Sequence, residues 1–159
     1  MNKIFQIILI FFVLADLQVL AQSQVIDGDS IKVNTINDYR LAGIDAPERD
    51  QPFGEEAGKR LKELLDNNEL AGLLCLPKSD KYGRDICVIS LWTENNEKID
   101  PAEELVKAGL AEVEYARFLP PLLEKAYKQA EKEAKEKKLG IWSQKDYIKP
   151  ADWRHKKRT

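Results

Sequence analysis

The 159 residues carry 25 Lys and Arg against 27 Asp and Glu with a single His, for a formal net charge of −2, and 43% are apolar. That balance excludes a disordered, collagen-like or multi-span membrane chain, and the length suits one domain with little room for two cores. Two cysteines rule out a disulfide-dense miniprotein and a four-cysteine zinc site, and the faint acidity argues against a broad basic face for nucleic acid.

Met1 to Ala21 reads as a secretory leader cleaved from the mature protein. Lys3 supplies a positive start, Ile4 to Ala15 is apolar apart from Gln6, and Val19-Leu20-Ala21 ends the stretch on small residues suited to cleavage. A membrane anchor is the alternative, but Asp16 cuts the run short of the roughly 17–25 apolar residues a span needs. A secreted product, extracellular or periplasmic and without stable membrane association, is therefore expected.

Residues 22–143 read as one domain and 144–159 as a basic tail, in which Lys149 to Thr159 holds five basic residues against one Asp. Gln24–Ile26, Ile31–Thr35 and Tyr39–Ile44 have the alternation of strands, the first two joined by an Asp-Gly-Asp turn. Gly54–Asn67 turns helical, with Ala57, Leu61, Leu64 and Leu65 on one side. Leu70–Leu76 and Ile86–Trp92 are the next strands. Asp100-Pro101-Ala102-Glu103 opens a helix that Gly109 ends, with Asp as N-cap and Pro at the first helical position. Pro120-Pro121 begins the last helix, in which Leu122, Ala126, Ala130 and Ala134 repeat every four residues until Gly140. Five strands with a helix between the third and fourth fit a five-stranded OB-type barrel packed with three helices, an α+β architecture.

Cys75 and Cys87 flank the turn-rich stretch Pro77–Gly83 between two apolar runs. A hairpin centred near residue 81 sets them opposite each other, and export favours a disulfide; two unpaired core cysteines are the alternative.

Four features lie at strand ends and turns: Asp27-Gly28-Asp29, Arg40, Asp45-Ala46-Pro47-Glu48, and Asp80-Lys81-Tyr82-Gly83-Arg84. Each alone reads as ordinary turn chemistry. Combined in a barrel, Asp29 and Asp45 end neighbouring strands and their carboxylates converge. Converging carboxylates repel unless a cation or proton neutralises them, and an all-oxygen set suits a hard ion such as Ca²⁺. Zinc is disfavoured, because His155, the single histidine, stands in the tail as a solvated residue. Beside such an ion, Arg40 and Arg84 suit a phosphodiester, and Glu48 can orient or deprotonate a water.

At these residues the chain resembles the staphylococcal nuclease-like family. Val25-Ile-Asp-Gly-Asp-Ser30, Tyr39-Arg-Leu-Ala-Gly-Ile-Asp-Ala-Pro-Glu48, Asp80-Lys-Tyr-Gly-Arg84 and Leu139-Gly-Ile-Trp142 match family motifs in order. The resemblance implies an OB-fold and Ca²⁺-dependent endonucleolytic hydrolysis of DNA and RNA, single-stranded or unpaired, to 3′-phosphorylated products. It implies Asp29, Asp45 and the Ala46 backbone oxygen as Ca²⁺ ligands, with Asp27 near the ion but not on it. By the same resemblance Glu48 is the general base, Arg40 and Arg84 bind the phosphate, and Lys81, Tyr82 and Tyr115 bind the rest of the substrate. Ser30 stands where the family usually has Thr, and Arg49–Gly58 is shorter than the corresponding loop of the best-known member. A monomer is expected. A non-catalytic OB-fold module binding nucleic acid or protein is the alternative, against which the presence of all five ligand, base and arginine positions weighs.

Overall fold

The computed structural model describes residues 23–33 and 37–156; the leader expectation for 1–21 lies outside them. A six-stranded mixed sheet forms the body. Its strands are β1 (Ser23–Asp27), β2 (Ser30–Val33), β3 (Asn37–Leu41), β5 (Glu69–Cys75), β6 (Asp85–Trp92) and β7 (Lys98–Ile99). They run in the order β1-β2-β3-β6-β5, with β7 on β6, while β4 (Ile44–Asp45) and β8 (Glu112–Val113) make a separate antiparallel pair. The helices are α1 (Gly54–Asp66), α2 (Pro101–Lys107), α3 (Pro121–Glu136) and α4 (Pro150–Lys156).

All five predicted strands are present as β1, β2, β3, β5 and β6. The predicted barrel is corrected in two respects. Among the described residues no ladder joins β1 to β5, so the sheet is not closed, and three two-residue strands are added. So short a strand carries no readable period. The long predicted strand to Ile44 is broken: Gly43, at φ +82°, turns the chain after β3, and β4 then pairs with β8 instead. The left-handed backbone there is the glycine's to adopt. A fourth helix, α4, stands inside the stretch read as a tail.

The registers explain why the motifs meet. β1 and β2 are antiparallel, with Asp27 opposite Ser30 across the tight Gly28-Asp29 turn, and β2 sets Ser30 opposite Arg40 of β3. β3 then runs parallel to β6, which puts Arg40 beside Ile86 and so near the 80–84 turn. Gly28 is required by packing. A Cβ there would come within 2.6 Å of the Ala57 Cβ and 2.7 Å of the Ala46 Cβ, so only hydrogen lets the turn press against α1 and the end of β4.

The core gathers Ile31, Val33, Leu41, Ile44, Leu61, Ile89, Leu91, Leu105 and Val106 with Tyr127, beneath α1, α2 and α3. α1 buries Ala57, Leu61, Leu64 and Leu65 as its spacing predicts. In α3 the buried stripe is Tyr127, Ala130 and Ala134, whereas Leu122 is 82% exposed. A strict four-residue repeat drifts around a helix of 3.6 residues per turn, so Leu122 has rotated out of the face its partners share. Cys75 and Cys87 face each other across β5 and β6 and form the expected disulfide.

Asp100 caps α2, accepting from the Ala102 amide at 2.8 Å, and its other oxygen accepts from the Tyr127 hydroxyl at 2.6 Å. Burial raises the Asp100 carboxyl, against the hydrogen bonds from Tyr127 and the helix amides that lower it. Tyr127→Phe keeps the ring in the core but takes away this donor. It is expected to lower the unfolding free energy by about 1–3 kcal/mol, the scale of a buried acceptor left unsatisfied, as read from a urea titration.

Candidate active site

The β1–β2 turn delivers Asp29, which is 2% exposed. Its Oδ1 accepts from Arg40 Nη1 at 2.7 Å and from the Ser30 hydroxyl at 2.9 Å, and its Oδ2 from the Ala46 amide at 3.0 Å. Burial pushes the Asp29 carboxyl up to about 7, with Asp27 and Asp45 adding to the rise and Arg40 opposing it. Asp27 folds back to accept from the Asp29 amide at 3.2 Å.

Arg40 bridges the two buried aspartates. Its Nη1 pairs with Asp29, and its Nη2 reaches Asp45 Oδ1 at 2.8 Å and the Ile44 carbonyl at 3.2 Å. Burial alone would ease this guanidinium toward losing its proton, but Asp29 and Asp45 outweigh it and hold the proton more firmly than usual. Asp45, at the end of β4, is fully buried. Glu48 follows in a turn closed by the Gln51 amide on the Glu48 carbonyl at 2.8 Å.

On the opposite wall, Asp80 organises its own turn, its Oδ1 accepting from the Tyr82 and Arg84 amides at 2.8 and 3.0 Å. Its Oδ2 takes Arg84 Nε at 2.7 Å, and Arg84 Nη1 reaches across to the Ser30 hydroxyl at 2.5 Å. Partial burial raises the Asp80 carboxyl, but these hydrogen bonds and Arg84 win and hold it below its ordinary value. Lys81 and Arg84 both lie over the Tyr82 ring, 5.1 and 5.4 Å from its centroid. Tyr115, in a left-handed conformation before the short 3₁₀ turn 116–118, is exposed and carries Arg117 over its ring at 5.5 Å.

These walls enclose a cleft of about 570 Å³. Asp27, Arg40, Glu48, Lys81, Tyr82, Arg84 and Tyr115 line it, as the motifs suggest. Asp29 and Asp45 do not; they are buried behind Arg40, and Ala46 meets Asp29 through its amide.

Three participants were not legible in the motifs. Arg154 of α4 enters the cleft with its guanidinium on Asp45, Nη1 to Oδ1 at 3.1 Å and Nη2 to Oδ2 at 2.8 Å, and on Glu48 Oε1 at 2.7 Å. His155, read as a solvated tail residue, is exposed but lies on the cleft lining. Glu114, just beyond β8, is raised by burial and by Asp45, with which it shares a hydrogen bond, against Arg40 and Arg154.

The donor chemistry of Asp29, Asp45 and Glu48 is all oxygen, which fits a hard divalent cation. As placed, no three His, Cys, Asp or Glu among the described residues form a group that could hold a metal ion. Instead Arg40 spans Asp29 and Asp45, and Arg154 spans Asp45 and Glu48. Protein cations thus stand on the carboxylates, and the set fits a metal ion only once Arg154 leaves Asp45 and Glu48 and Arg40 loosens its hold on Asp29 and Asp45.

Residues 38–144 match the family model for staphylococcal nuclease homologues, and the chain belongs to that family. It is 35% identical over 139 residues to a probable endonuclease, lcl3, of Botryotinia fuckeliana, covering 80% of this chain and 51% of that protein. It is 36% identical to the SPbeta prophage-derived endonuclease YokF of Bacillus subtilis, covering 77% and 43%. With the micrococcal nuclease of Shigella flexneri it shares 32% identity, covering 82% and 77%. The chain thus spans about half the length of several of these relatives. In this chain Asp27 of the Asp-Gly-Asp turn, Arg40, and Asp80 and Arg84 of the second turn face one cleft.

Proposed function

We propose that this protein is a secreted, Ca²⁺-dependent endonuclease that hydrolyses phosphodiester bonds of DNA and RNA in single-stranded or unpaired regions. The observation that carries the reading is the convergence of Arg40, Arg84 and Glu48 on one cleft above two buried aspartates. The endonuclease and nuclease names of its relatives support it. The leader-like 1–21 supports export, and a monomer built on an open OB-type sheet is the corresponding architecture.

A phosphodiester entering between the walls meets two guanidinium groups whose forks match phosphate oxygens. Arg84 is aimed by Asp80 and Ser30, so its donors are in place before the substrate arrives. Glu48 accepts a proton from the attacking water, whose oxygen bonds to phosphorus as the P–O5′ bond breaks; the 5′-oxygen takes a proton from solvent and leaves as an alcohol, so the phosphate stays on the 3′ side. Ca²⁺, held by Asp29, Asp45 and the Ala46 carbonyl, would add positive charge against which the extra negative charge of the transition state is stabilised. Asp27, on the cleft lining, adds negative charge beside these ligands. Tyr82 and Tyr115 offer exposed rings to the sugar–base portion, and Lys81 a cation to a terminal phosphate.

Digestion of single-stranded DNA and RNA by the mature protein is the test. Cleavage with Ca²⁺ and its loss in chelator are expected, with 3′-phosphorylated ends in the products. Glu48→Gln should lower the rate about 10²–10⁴-fold, the worth of a positioned base. Binding without products, or undiminished cleavage in chelator or in Glu48→Gln, overturns the reading, the first in favour of a binding module.

A further inference from the structure

Asp45 has no oxygen left over. It is fully buried, Arg40 and Arg154 share its Oδ1, and Arg154 takes its Oδ2. The same Arg154 Nη1 holds Glu48 Oε1 at 2.7 Å. A divalent cation needs oxygens at roughly 2.3–2.6 Å and tolerates no guanidinium between itself and its ligands. Two cations on one carboxylate pair also repel. Arg154 and a metal ion therefore exclude each other at Asp45 and Glu48.

Helix α4 is built so that it can let go. It is seven residues long and follows the loop after the 3₁₀ turn at 140–143. Its side-chain grip is on the loop that carries Glu48: Gln51 donates to the Ile148 carbonyl at 2.6 Å, and Trp153 Nε1 to Asp50 at 3.4 Å. Pro150 is buried at its start, while the Arg154 side chain keeps 30% of its surface in solvent. The anchored end and the half-exposed end differ, so Arg154 can swing out while Pro150 stays.

We propose that Arg154 is a tethered counter-cation that occupies Asp45 and Glu48 in the metal-free protein, and that divalent-cation binding expels it, making α4 a strap whose docking and metal binding are mutually exclusive. This rests on the reading of Asp45 as a cation ligand and of Glu48 as the base beside it. The apparent metal affinity is then reduced by the fraction of molecules with the strap docked, and by linkage the metal weakens docking by the same factor. While docked, Arg154 also withholds Glu48 from water, so the strap keeps the site idle until calcium is present.

Calorimetric Ca²⁺ titration and hydrogen exchange on the full mature chain test this. Arg154→Gln is expected to bind Ca²⁺ at least tenfold more tightly than the parent, with Arg154→Lys between them. Lys156→Gln removes the same charge from the same helix and should change the affinity less than twofold. In the parent protein, saturating Ca²⁺ should speed exchange of the 151–156 amides. Equal or weaker binding by Arg154→Gln, an equal gain in Lys156→Gln, or unchanged exchange at saturation overturns the strap while leaving the metal reading intact. Absence of Ca²⁺ binding in parent and variants alike overturns the metal reading and the strap with it. The exchange arm uses the parent protein alone and stands even if a variant fails to fold.

Discussion

Arg84→Ala is expected to slow phosphodiester cleavage by about 10²–10³-fold, the cost of removing one preorganised donor from a site of developing charge, while the protein stays folded. The two effects separate because of where Arg84 sits. Its partners are Asp80, four residues away in the same turn, and the Ser30 hydroxyl, and its side chain keeps 21% of its surface exposed. Losing a partly exposed ion pair of this kind costs about 0–1 kcal/mol. The Asp80 carboxylate is not stranded, since the Tyr82 and Arg84 amides still donate to it. If Arg84 acts on charge that appears in the transition state, kcat and kcat/KM fall together; if it merely holds substrate, KM rises and kcat survives. Steady-state kinetics on a defined oligonucleotide, with a thermal melt of the same sample, distinguishes the two. Arg84→Lys keeps the charge without the fork and should recover only part of the rate.

The cleft was largely legible because its walls are local motifs. Asp-Gly-Asp, Asp-Ala-Pro-Glu and Asp-Lys-Tyr-Gly-Arg are turns, and turn chemistry is written in adjacent residues. Their convergence followed from strand pairing, since antiparallel β2 and β3 set Ser30 opposite Arg40. What stayed hidden depends on contacts distant in sequence. Arg154 meets Asp45 across 109 residues, and nothing around it beyond a basic tail marks it as a site residue. Glu114 joins through β8, whose two residues have no period to read. The break at Gly43 was misread for a related reason: the apolar run continues through Ala42 and Ile44, both buried, although the sheet they serve changes. Leu122 failed through geometry, its four-residue spacing being too regular for a helix. The net charge misled as well, because buried Asp29 and Asp45 spend their charge on Arg40 and Arg154 rather than on the surface.

Arg40 should behave unlike Arg84, because its loss damages the fold and the chemistry together. Arg40→Met, close to the same length, takes from Asp29 and Asp45 the guanidinium that bridges them and, among the described residues, leaves Asp45 with Arg154. At a pH above its raised value, where the Asp29 carboxyl is ionised, stranding its buried charge in this way costs about 3–5 kcal/mol, readable in denaturant unfolding with chelator present. The pH dependence gives the cause. Folding raises the Asp29 carboxyl from an ordinary 3.8 to about 7, so the folded protein binds the extra proton and its stability falls as pH rises between those values. Arg40 opposes that rise, so without it the carboxyl moves higher and the loss extends above pH 7. Asp29→Asn in the Arg40→Met background removes the stranded charge and should restore part of the stability but none of the cleavage. A variant that unfolds equally with or without Asp29 would show that Arg40 acts by packing rather than as the counter-charge of the aspartate pair. Ca²⁺, if it binds these carboxylates, should stabilise Arg40→Met more than the parent, since it supplies charge the variant lacks. Stability rescued by calcium without rescue of cleavage would separate the structural duty of Arg40 from its contact with phosphate.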